Sequence, residues 1–579
     1  MSYGDFLTLA TIAIAVVVIT RFLGAYIYHV MEGERTFLSP VMRPVERAIY
    51  RVCGIDETAE MTWRGYTLAV LAMAVVAIAA GYVVLRLQDV LPLNQGGIPP
   101  MSPDLAFNTS VSFETNTNWQ NYSGESGATY LTQAAMLAVR NFTSAATGMA
   151  VAIALIRGLV RRSGKTLGNY WVDLTRGILY ILLPVSVVGA LVLVGQGVPQ
   201  TWNPTQVVTT LQGAVQNIAL GPVASQEWIK NMGNNGGGFF NANSAHPFEN
   251  STALTNWLTI VGLLATAFAL TYTFGRYAGN QRQGWTIFGA MAVILLAGAV
   301  FAMHIEYQGN PLFPSSVDQT GTAIANVQGS VGNMEGKEVR FGAAVGGLFM
   351  ATTTGTSTGA INSWHDSAQP IAGLVPLFNI ELGEITPGGI GAGLYGMLVI
   401  GAILAVFIAG LMVGRTPEYL GKKVESYEIK LAMITALVLG FSILVFTAIA
   451  TVLPDGTAGP LNSGPHGFSE ILYAYSSMTG NNGSAFAGLS GNTPFYNVTG
   501  AFAMLIGRYG MIVPILALAG SMVEKRRVAA SLGTFPTTGV LWVVLLIGVV
   551  IIVGALTFFP ALSLGPIVEQ LLQNAGKVF

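Results

Sequence analysis

The chain has little charge for its length. Only 9% of its 579 residues are Asp, Glu, Lys or Arg, and 52% are hydrophobic, whereas soluble domains carry about 25% charged residues. This composition excludes an ordinary water-soluble enzyme. The formal net charge of −1 also provides no excess positive charge of the kind that attracts nucleic acid.

Cysteine and histidine are scarce as well. Cys53 is the single cysteine, and there are five histidines. One thiol cannot form a disulfide within the chain or a site with several thiolates, and the scattered histidines form no imidazole cluster. No aspartyl-phosphate sequence of the type D-K-T-G-T occurs, and the SGKT at 163–166 lacks the glycine spacing of a phosphate-binding loop. We therefore expect no catalytic residue and no nucleotide site on this chain.

What the chain does contain is a series of apolar runs, each long enough as a helix to cross the hydrocarbon core of a bilayer. They recur at about 6–30, 65–87, 131–157, 174–196, 253–275, 285–304, 392–414, 429–453, 499–522 and 537–559. Most of the 27 Lys and Arg residues fall in alternate loops, which the positive-inside tendency assigns to the cytoplasm. We predict an all-α polytopic membrane protein with about ten transmembrane helices and both termini outside.

Glycine is abundant, and part of it lies in four polar segments rich in Gly, Asn, Thr and Ser. The segments are SVSFETNTNWQNYSGES (110–126), NMGNNGGGFFNANSAHPFENST (231–252), ATTTGTSTGAINSWHDS (351–367) and SSMTGNNGSAFAGLSGNTPF (476–495). Each lies between two predicted spans. The order span, polar loop, span therefore occurs four times, with one additional span at each end of the chain.

Four such loops can meet around one axis, because non-helical backbone at membrane depth needs protein or a water-filled cavity to satisfy its polar groups. Their carbonyls would then replace the hydration shell of a cation, as in a selectivity filter. The loop centres contain no carboxylate, which favours a monovalent ion over a divalent one. Five flanking acids are expected to concentrate cations at an outer mouth: Glu114, Glu125, Glu249, Asp366 and Glu470.

Two alternatives remain open at this point. Solvent-exposed connections are also rich in these residue types, and for a single loop that would be the better interpretation. A transporter for an organic solute would have a midplane pocket formed by discontinuous helices. The fourfold repetition of loop composition and position favours a central pore over both.

Several long strings closely resemble the A-subunit family of the Kdp potassium-transporting ATPase. They are NTNWQNYSGE, NGGGFFNANSAHPFEN, TTTGTSTGA followed by HDS, GRTPEYLGKK (414–423) and NNGSAFAGL. The resemblance implies four covalently joined span–loop–span units around a central pore, an extracellular filter for K⁺, and an intramembrane tunnel to the B subunit, a P-type ATPase. It also implies a complex of the bacterial inner membrane with accessory subunits C and F, in which K⁺ is the transported ion.

The resemblance assigns potassium ligands to three residues in each loop. These are Asn116, Thr117 and Asn118 in the first loop, Asn234, Asn235 and Gly236 in the second, Ser357, Thr358 and Gly359 in the third, and Asn481, Asn482 and Gly483 in the fourth. Gln120 matches a position that the family associates with ion selectivity.

Arg508 lies in the apolar run after the fourth loop. An arginine at membrane depth usually faces the bundle interior, a cavity or a partner. We interpret Arg508 as holding the lower edge of the filter or as an electrostatic barrier below it. The alternative is a structural arginine bonded to loop carbonyls.

The stretch Gly388–Gly401 predicts a broken helix in the third unit, because each interior glycine costs about 1 kcal/mol relative to alanine. In the superfamily that the chain resembles, such a break forms a gate under the filter. The gate residues would be Gly388, Gly389, Gly391 and Gly393. The alternative is a close helix–helix contact through small residues.

We divide the chain into six parts: 1–62 with the N-terminal helix and a cytoplasmic loop, 63–160, 161–283, 284–427 and 428–528 as repeats 1 to 4, and 529–579 with the C-terminal helix. The leading interpretation is a potassium-selective subunit that delivers K⁺ to an ATP-hydrolysing partner. Its alternative is a stand-alone potassium channel or gradient-driven transporter of the same superfamily.

Overall fold

A computed structural model describes residues 1–314, 316–319, 331–412, 414–529 and 534–577. The helices are α1 (Tyr3–Met31), α2 (Ser39–Cys53), α3 (Trp63–Leu87), α4 (Pro103–Glu114), α5 (Thr132–Val160), α6 (Tyr170–Gly195), α7 (Val223–Met232), α8 (Ala253–Tyr277), α9 (Gln281–Gln308), α10 (Ala343–Gly355), α11 (Pro370–Glu381), α12 (Ala392–Met412), α13 (Ser426–Val452), α14 (Gly464–Gly480), α15 (Pro494–Glu524) and α16 (Val540–Asn574). Single helical turns lie at Gly124–Gly127, Asn243–Ala245, His365–Ser367 and Pro454–Thr457.

Ten of these helices are long and apolar enough to cross a membrane: α1, α3, α5, α6, α8, α9, α12, α13, α15 and α16. They coincide with the ten apolar runs, so the prediction of an all-α polytopic membrane protein is confirmed. Two small antiparallel hairpins, which the apolar pattern does not predict, lie outside these helices. They pair β1 (Gln206–Thr209) with β2 (Val215–Ile218), and β3 (Glu418–Tyr419) with β4 (Lys422–Lys423).

Four shorter helices, α4, α7, α10 and α14, each lie between two spanning helices. The sequence pattern predicts only loops there, yet α4, α10 and α14 occupy the first part of their polar segments. Proline or glycine lies at the N-terminal end of all four: Pro103 begins α4, Pro222 and Gly342 are the N-cap residues of α7 and α10, and Pro465 lies in the first turn of α14. Each short helix packs against the helices that precede and follow it in the chain.

The third repeat contains the predicted helix break. After α11 the chain leaves the helical conformation over 382–391, with positive φ angles at Gly383, Gly388 and Gly391, and it becomes helical again in α12. The prediction of a broken helix is confirmed for residues 388–391, whereas residues 392–401 are helical, with a π-helical section at Met397–Ile403. Glycines there permit close packing instead: a Cβ on Gly393 would lie 1.7 Å from the Pro387 carbonyl oxygen.

The main hydrophobic core surrounds α5, α8, α9, α12 and α15, and α1 packs against α8 on its outside. Helix α2 is amphipathic: Val41, Val45 and Val52 are exposed, whereas Glu46 is buried. The Glu46 carboxylate accepts hydrogen bonds from Arg176 and Tyr180 and thereby attaches α2 to α6. The core helices thus surround the segments that follow the four short helices.

Candidate ion-binding site

The four short helices are followed by loop 1 (115–123), loop 2 (233–252), loop 3 (356–369) and loop 4 (481–493). Each loop contains a non-glycine residue with a left-handed backbone at its start. The φ angles are +66° at Asn116, +50° at Asn234, +50° at Ser357 and +59° at Asn481. Such angles are uncommon for residues with a side chain, so their recurrence at one position in every loop shows that the repeat is structural.

The residue after this position makes the same hydrogen bond in all four loops. Its amide nitrogen donates to the carbonyl oxygen five residues earlier, in the last turns of the short helix. The bonds run from Thr117 to Ser112 (3.0 Å), Asn235 to Lys230 (2.8 Å), Thr358 to Thr353 (3.0 Å) and Asn482 to Ser477 (2.8 Å). The loop amides are therefore turned back toward their helices.

Hydrogen bonds join loop 1 to loop 2 and loop 2 to loop 3. The side-chain amide of Asn116 in loop 1 donates to the carbonyl oxygen of Asn234 in loop 2 at 2.7 Å. The carbonyl oxygen of Asn235 in loop 2 accepts from the amide of Gly359 in loop 3 at 3.1 Å. Asn118 adds a second link between loops 1 and 2, because its side chain donates to the Gly236 carbonyl at 3.2 Å.

Loop 4 completes the circle. A Cβ on Gly359 would lie 2.8 Å from the carbonyl carbon of Gly483, so loops 3 and 4 touch through their backbones. The side chain of Asn481 donates to Thr117 Oγ1 of loop 1 at 2.9 Å. The structure thus brings all four triplets assigned from the resemblance into one closed arrangement, which we call the ring: 116–118, 234–236, 357–359 and 481–483.

The ring separates two cavities. A vestibule of about 470 Å³ lies on one side and is lined by Asn118, Gly359 and Gly483 among others. A cavity of about 20 Å³ lies on the other side and is lined by Asn116, Ser357 and Asn481 among others. A cavity volume of about 10–15 Å³ suffices for one water molecule. This inner cavity therefore has room for a single small occupant.

The four short helices point their C-terminal ends at the ring. The last residue of α14, Gly480, directly precedes its left-handed position, and the last residues of the other three, Glu114, Met232 and Gly355, lie two residues before theirs. A helix C-terminus carries roughly half a negative charge. Four such ends favour a cation at the ring without any carboxylate in it.

Gln120 lies in the vestibule and attaches loop 1 to loop 2. Its Oε1 accepts from the amide of Gly238 at 2.8 Å, and its Nε2 donates to the carbonyl of the same residue at 3.3 Å and to Tyr122 Oη at 3.1 Å. Both ends of the side chain are thus occupied by protein groups. This geometry is that of a support for loop 2, and a role in selectivity stays a prediction.

Arg508 lies on the inner side of the ring, where it lines the inner cavity and is 5% exposed. Its guanidinium donates to the carbonyl oxygen of Ser144 in α5 at 2.8 Å. This partner belongs to a spanning helix and not to a loop. The position below the ring agrees with the expected depth of Arg508.

The glycines of the proposed gate contact the underside of loop 3. The amide of Gly388 donates to the Gly355 carbonyl at 2.7 Å, and the amide of Gly389 donates to Ser357 Oγ at 3.1 Å. A Cβ on Gly391 would lie 1.9 Å from the carbonyl oxygen of Gly148 in α5. The break therefore lies directly beneath the ring and packs closely against α5. Gly393, the fourth glycine of the proposed gate, lies in α12 and not in the break.

Sequence reasoning missed Glu384, which lies within this break. Its side chain is 3% exposed and lines the inner cavity. Among the described residues none donates a hydrogen bond to either carboxylate oxygen, and Ser357 and Asn482 are polar neighbours. Burial raises the pKa of the Glu384 carboxyl well above its usual range, because a buried carboxylate without a partner is costly. Glu384 is therefore suited to ionise against a cation in the inner cavity.

The expectation for the outer mouth is wrong for three of the five flanking acids. Glu114, Glu249 and Glu470 are all at most 4% exposed. The Glu114 carboxylate lies 3.8 Å from Arg140 Nε, and Glu249 is paired with Lys230. Proximity in sequence placed these acids near the loops, but the short helices and the turns of loop 2 bury them.

The chain matches the family model described as potassium-transporting ATPase A subunit over residues 10–571. It is similar to proteins named potassium-transporting ATPase potassium-binding subunit. These come from Methylobacterium nodulans (56% identical, 97% of both chains), Methylobacterium radiotolerans (54%, 100% of this chain and 99% of the relative) and Bradyrhizobium diazoefficiens (54%, 100% of both). Its fold resembles the crystal structure of the potassium transporter TrkH from Vibrio parahaemolyticus, with a TM-score of 0.53, 16% identity, and 89% of this chain and 98% of that chain covered. The chain belongs to the potassium-transporting ATPase A subunit family, which is a family of transport subunits.

Proposed function

We propose that this chain binds extracellular K⁺ for an ATP-driven uptake complex and that the ring is its selectivity filter. The observation that carries the proposal is the recurrence of one left-handed residue and one backbone hydrogen bond in four loops that close into a circle. Carbonyls arranged around an axis can replace the hydration shell of a cation. The name potassium-binding subunit, which the relatives carry, supports the same ion.

The chemistry of the ring supports a monovalent cation. Its side chains are Asn, Thr and Ser, which supply neutral oxygens, and the carboxylate of Glu384 lines the inner cavity beside it. A divalent ion would need carboxylates among its direct ligands. The charge that the ring lacks comes from the C-termini of α4, α7, α10 and α14.

The path that we propose runs from the vestibule through the ring into the inner cavity. There the cation meets Glu384, while the guanidinium of Arg508 and the break at 382–391 oppose movement straight on. K⁺ then leaves sideways through an intramembrane tunnel to the B subunit, which is the P-type ATPase. Subunits C and F complete the proposed complex in the bacterial inner membrane.

The proposed orientation places the vestibule and both termini outside. It rests on the concentration of Lys and Arg in the opposite set of loops. We also keep the division into repeats 63–160, 161–283, 284–427 and 428–528, since each contains one short helix and its loop.

The division of labour is tested with purified chain, alone and in complex with its partners. We expect K⁺-stimulated ATP hydrolysis by the complex and none by the chain alone. Hydrolysis by the isolated chain would contradict the proposal. Potassium uptake into vesicles that contain this chain without an ATPase partner would favour the alternative of a stand-alone transporter.

A further inference from the structure

In each repeat, the carbonyl that accepts the hydrogen bond from the loop amide belongs to an equivalent residue of the short helix. The side chain of this residue differs in one repeat. In three repeats this residue is Ser or Thr, and its hydroxyl bonds the backbone of its own loop. Ser112 Oγ donates to the Trp119 carbonyl at 2.9 Å, Thr353 Oγ1 donates to the Thr358 carbonyl at 2.6 Å, and Ser477 Oγ accepts from the Gly483 amide at 3.0 Å. Repeat 2 has Lys230 at this position, so its loop requires another support.

Lys230 is fully buried, and three oxygens surround its ammonium group. Nζ lies 2.5 Å from Glu227 Oε2, pairs with Glu249 Oε2, and donates to Asn243 Oδ1 at 2.8 Å. An ammonium group has three N–H donors. Two of them donate to Asn243 Oδ1 and Glu249 Oε2, while Glu227 Oε2 lies within ion-pair distance.

Asn243 extends the contact from Lys230 to two loops of the ring. Its Nδ2 donates to the carbonyl of Gly237, directly after the loop 2 triplet. Its Oδ1, already held by Lys230, also accepts from the amide of Ile361 at 3.2 Å, two residues after the loop 3 triplet. A shift of Lys230 would therefore move loops 2 and 3 together.

Glu249 gives loop 2 a further attachment. Its second oxygen, Oε1, accepts from the amide of Phe240 at 2.8 Å. Burial raises the pKa of the Glu227 carboxyl, which favours a proton on Glu227. Lys230 and Glu249 then form a balanced pair of charges.

We propose that Lys230, acting through Asn243 and Glu249, is a positioning residue that sets the spacing of loops 2 and 3 and thereby the discrimination of the ring between K⁺ and Na⁺. The inference rests on the proposed role of the ring as a filter. A ring with fixed spacing cannot contract around the smaller ion. Without the Lys230–Asn243 contact, loops 2 and 3 lose the side chain that joins them behind the triplets.

The test uses the complex assembled with its ATP-hydrolysing partner and two sets of substitutions. Lys230→Met combined with Glu249→Gln removes the ammonium and one carboxylate together, so no buried charge loses its partner, and Gln can still accept from Phe240. Asn243→Asp keeps an acceptor for Lys230 but removes the donor to Gly237. ATP hydrolysis is measured as a function of K⁺ and, separately, of Na⁺.

For both variants we expect the half-maximal K⁺ concentration to rise at least about tenfold, equivalent to about 1.4 kcal/mol. The ratio of half-maximal Na⁺ to K⁺ concentrations should fall by a similar factor, while the maximal rate stays within about threefold. Lys422→Met is the matched control. Lys422 is equally buried but donates to the carbonyls of Gly158 and Met522, remote from the ring, so its substitution should leave the ratio unchanged.

An unchanged Na⁺ to K⁺ ratio in assembled, active K230M/E249Q and N243D complexes would overturn the inference. If the double variant does not assemble, the result for N243D decides. A wild-type complex that shows no preference for K⁺ would instead overturn the proposed function of the ring, so the two failures are distinguishable.

Discussion

At the scale of single residues, the ring depends on backbone positions that leave no room for a side chain. A Cβ on Gly483 would lie 1.8 Å from the carbonyl oxygen of Thr117, and a Cβ on Gly236 would lie 2.1 Å from the amide nitrogen of Gly359. Both glycines have positive φ angles, which glycine adopts without steric cost. The backbone conformation of each loop and the contacts between neighbouring loops thus both require glycine here.

Gly236→Ala should weaken apparent potassium affinity by at least about tenfold. The added methyl group would push loop 3 away from loop 2 and widen or twist the ring. Potassium-stimulated ATP hydrolysis by the complex measures the effect. Gly197→Ala is the control, because Gly197 has a similar φ of +92° but no atom near its Cβ position; equal effects from both substitutions would argue against the filter assignment.

Glu384→Gln should also raise the half-maximal K⁺ concentration, by about tenfold. The neutral amide has nearly the shape of the carboxylate but cannot offset the charge of a cation in the inner cavity. Glu381→Gln is a matched control, since Glu381 is equally buried but accepts from Ser476 and does not line the cavity. Unaltered potassium dependence in E384Q would exclude Glu384 from the ion path.

The sequence predicts which segments come together at the site far better than it predicts the residues that hold those segments in place. The four polar segments share composition and position, and this repetition is visible without a structure, whereas the twelve triplet residues within them come from the resemblance to the family. Glu384 and Lys230 have no such signal. Each is one charged residue in a stretch of ordinary composition, and only the packing of α10, α14 and loop 2 reveals where it lies. The ligand roles of the triplets stay a prediction.

At the scale of elements, the short helices and the bounds of the break were the least predictable parts. Helices α4 and α10 end in polar residues such as Ser112 and Thr353, so they lack the apolar periodicity that identifies a spanning helix. They are stable because neighbouring helices bury them. The break begins at residue 382, before the glycine-rich stretch. Glycine content alone does not predict its bounds, because some of these glycines permit close packing within a helix instead of interrupting it.

The break should control the rate of transport. Gly391→Ala would place a methyl group 1.9 Å from the Gly148 carbonyl and force the break away from α5, which alters the floor of the inner cavity. We expect the maximal rate of uptake of ⁸⁶Rb⁺ into vesicles containing the complex to fall by about tenfold or more. Gly548→Ala, at a position with no atom near the Cβ, should leave uptake unchanged; a normal rate in G391A would contradict a gating role.

At the scale of the whole molecule, four similar units enclose one site but are not equivalent. Repeat 2 supports its loop with Lys230 where the others use a hydroxyl, and repeat 3 has the helix break beneath the ring. The inner cavity is correspondingly lined by the acidic Glu384 and the basic Arg508. The sideways path that we propose below a nearly fourfold ring requires asymmetry of this kind.

The central claim, that the ring binds the transported ion, is tested most directly by locating the ion. Crystals of the assembled complex with Rb⁺ in place of K⁺ would show the ion by its anomalous scattering. The account predicts a peak enclosed by residues 116–118, 234–236, 357–359 and 481–483, within coordination distance of their oxygens. A ring without such density, in crystals of a complex whose ATP hydrolysis Rb⁺ stimulates, would contradict it.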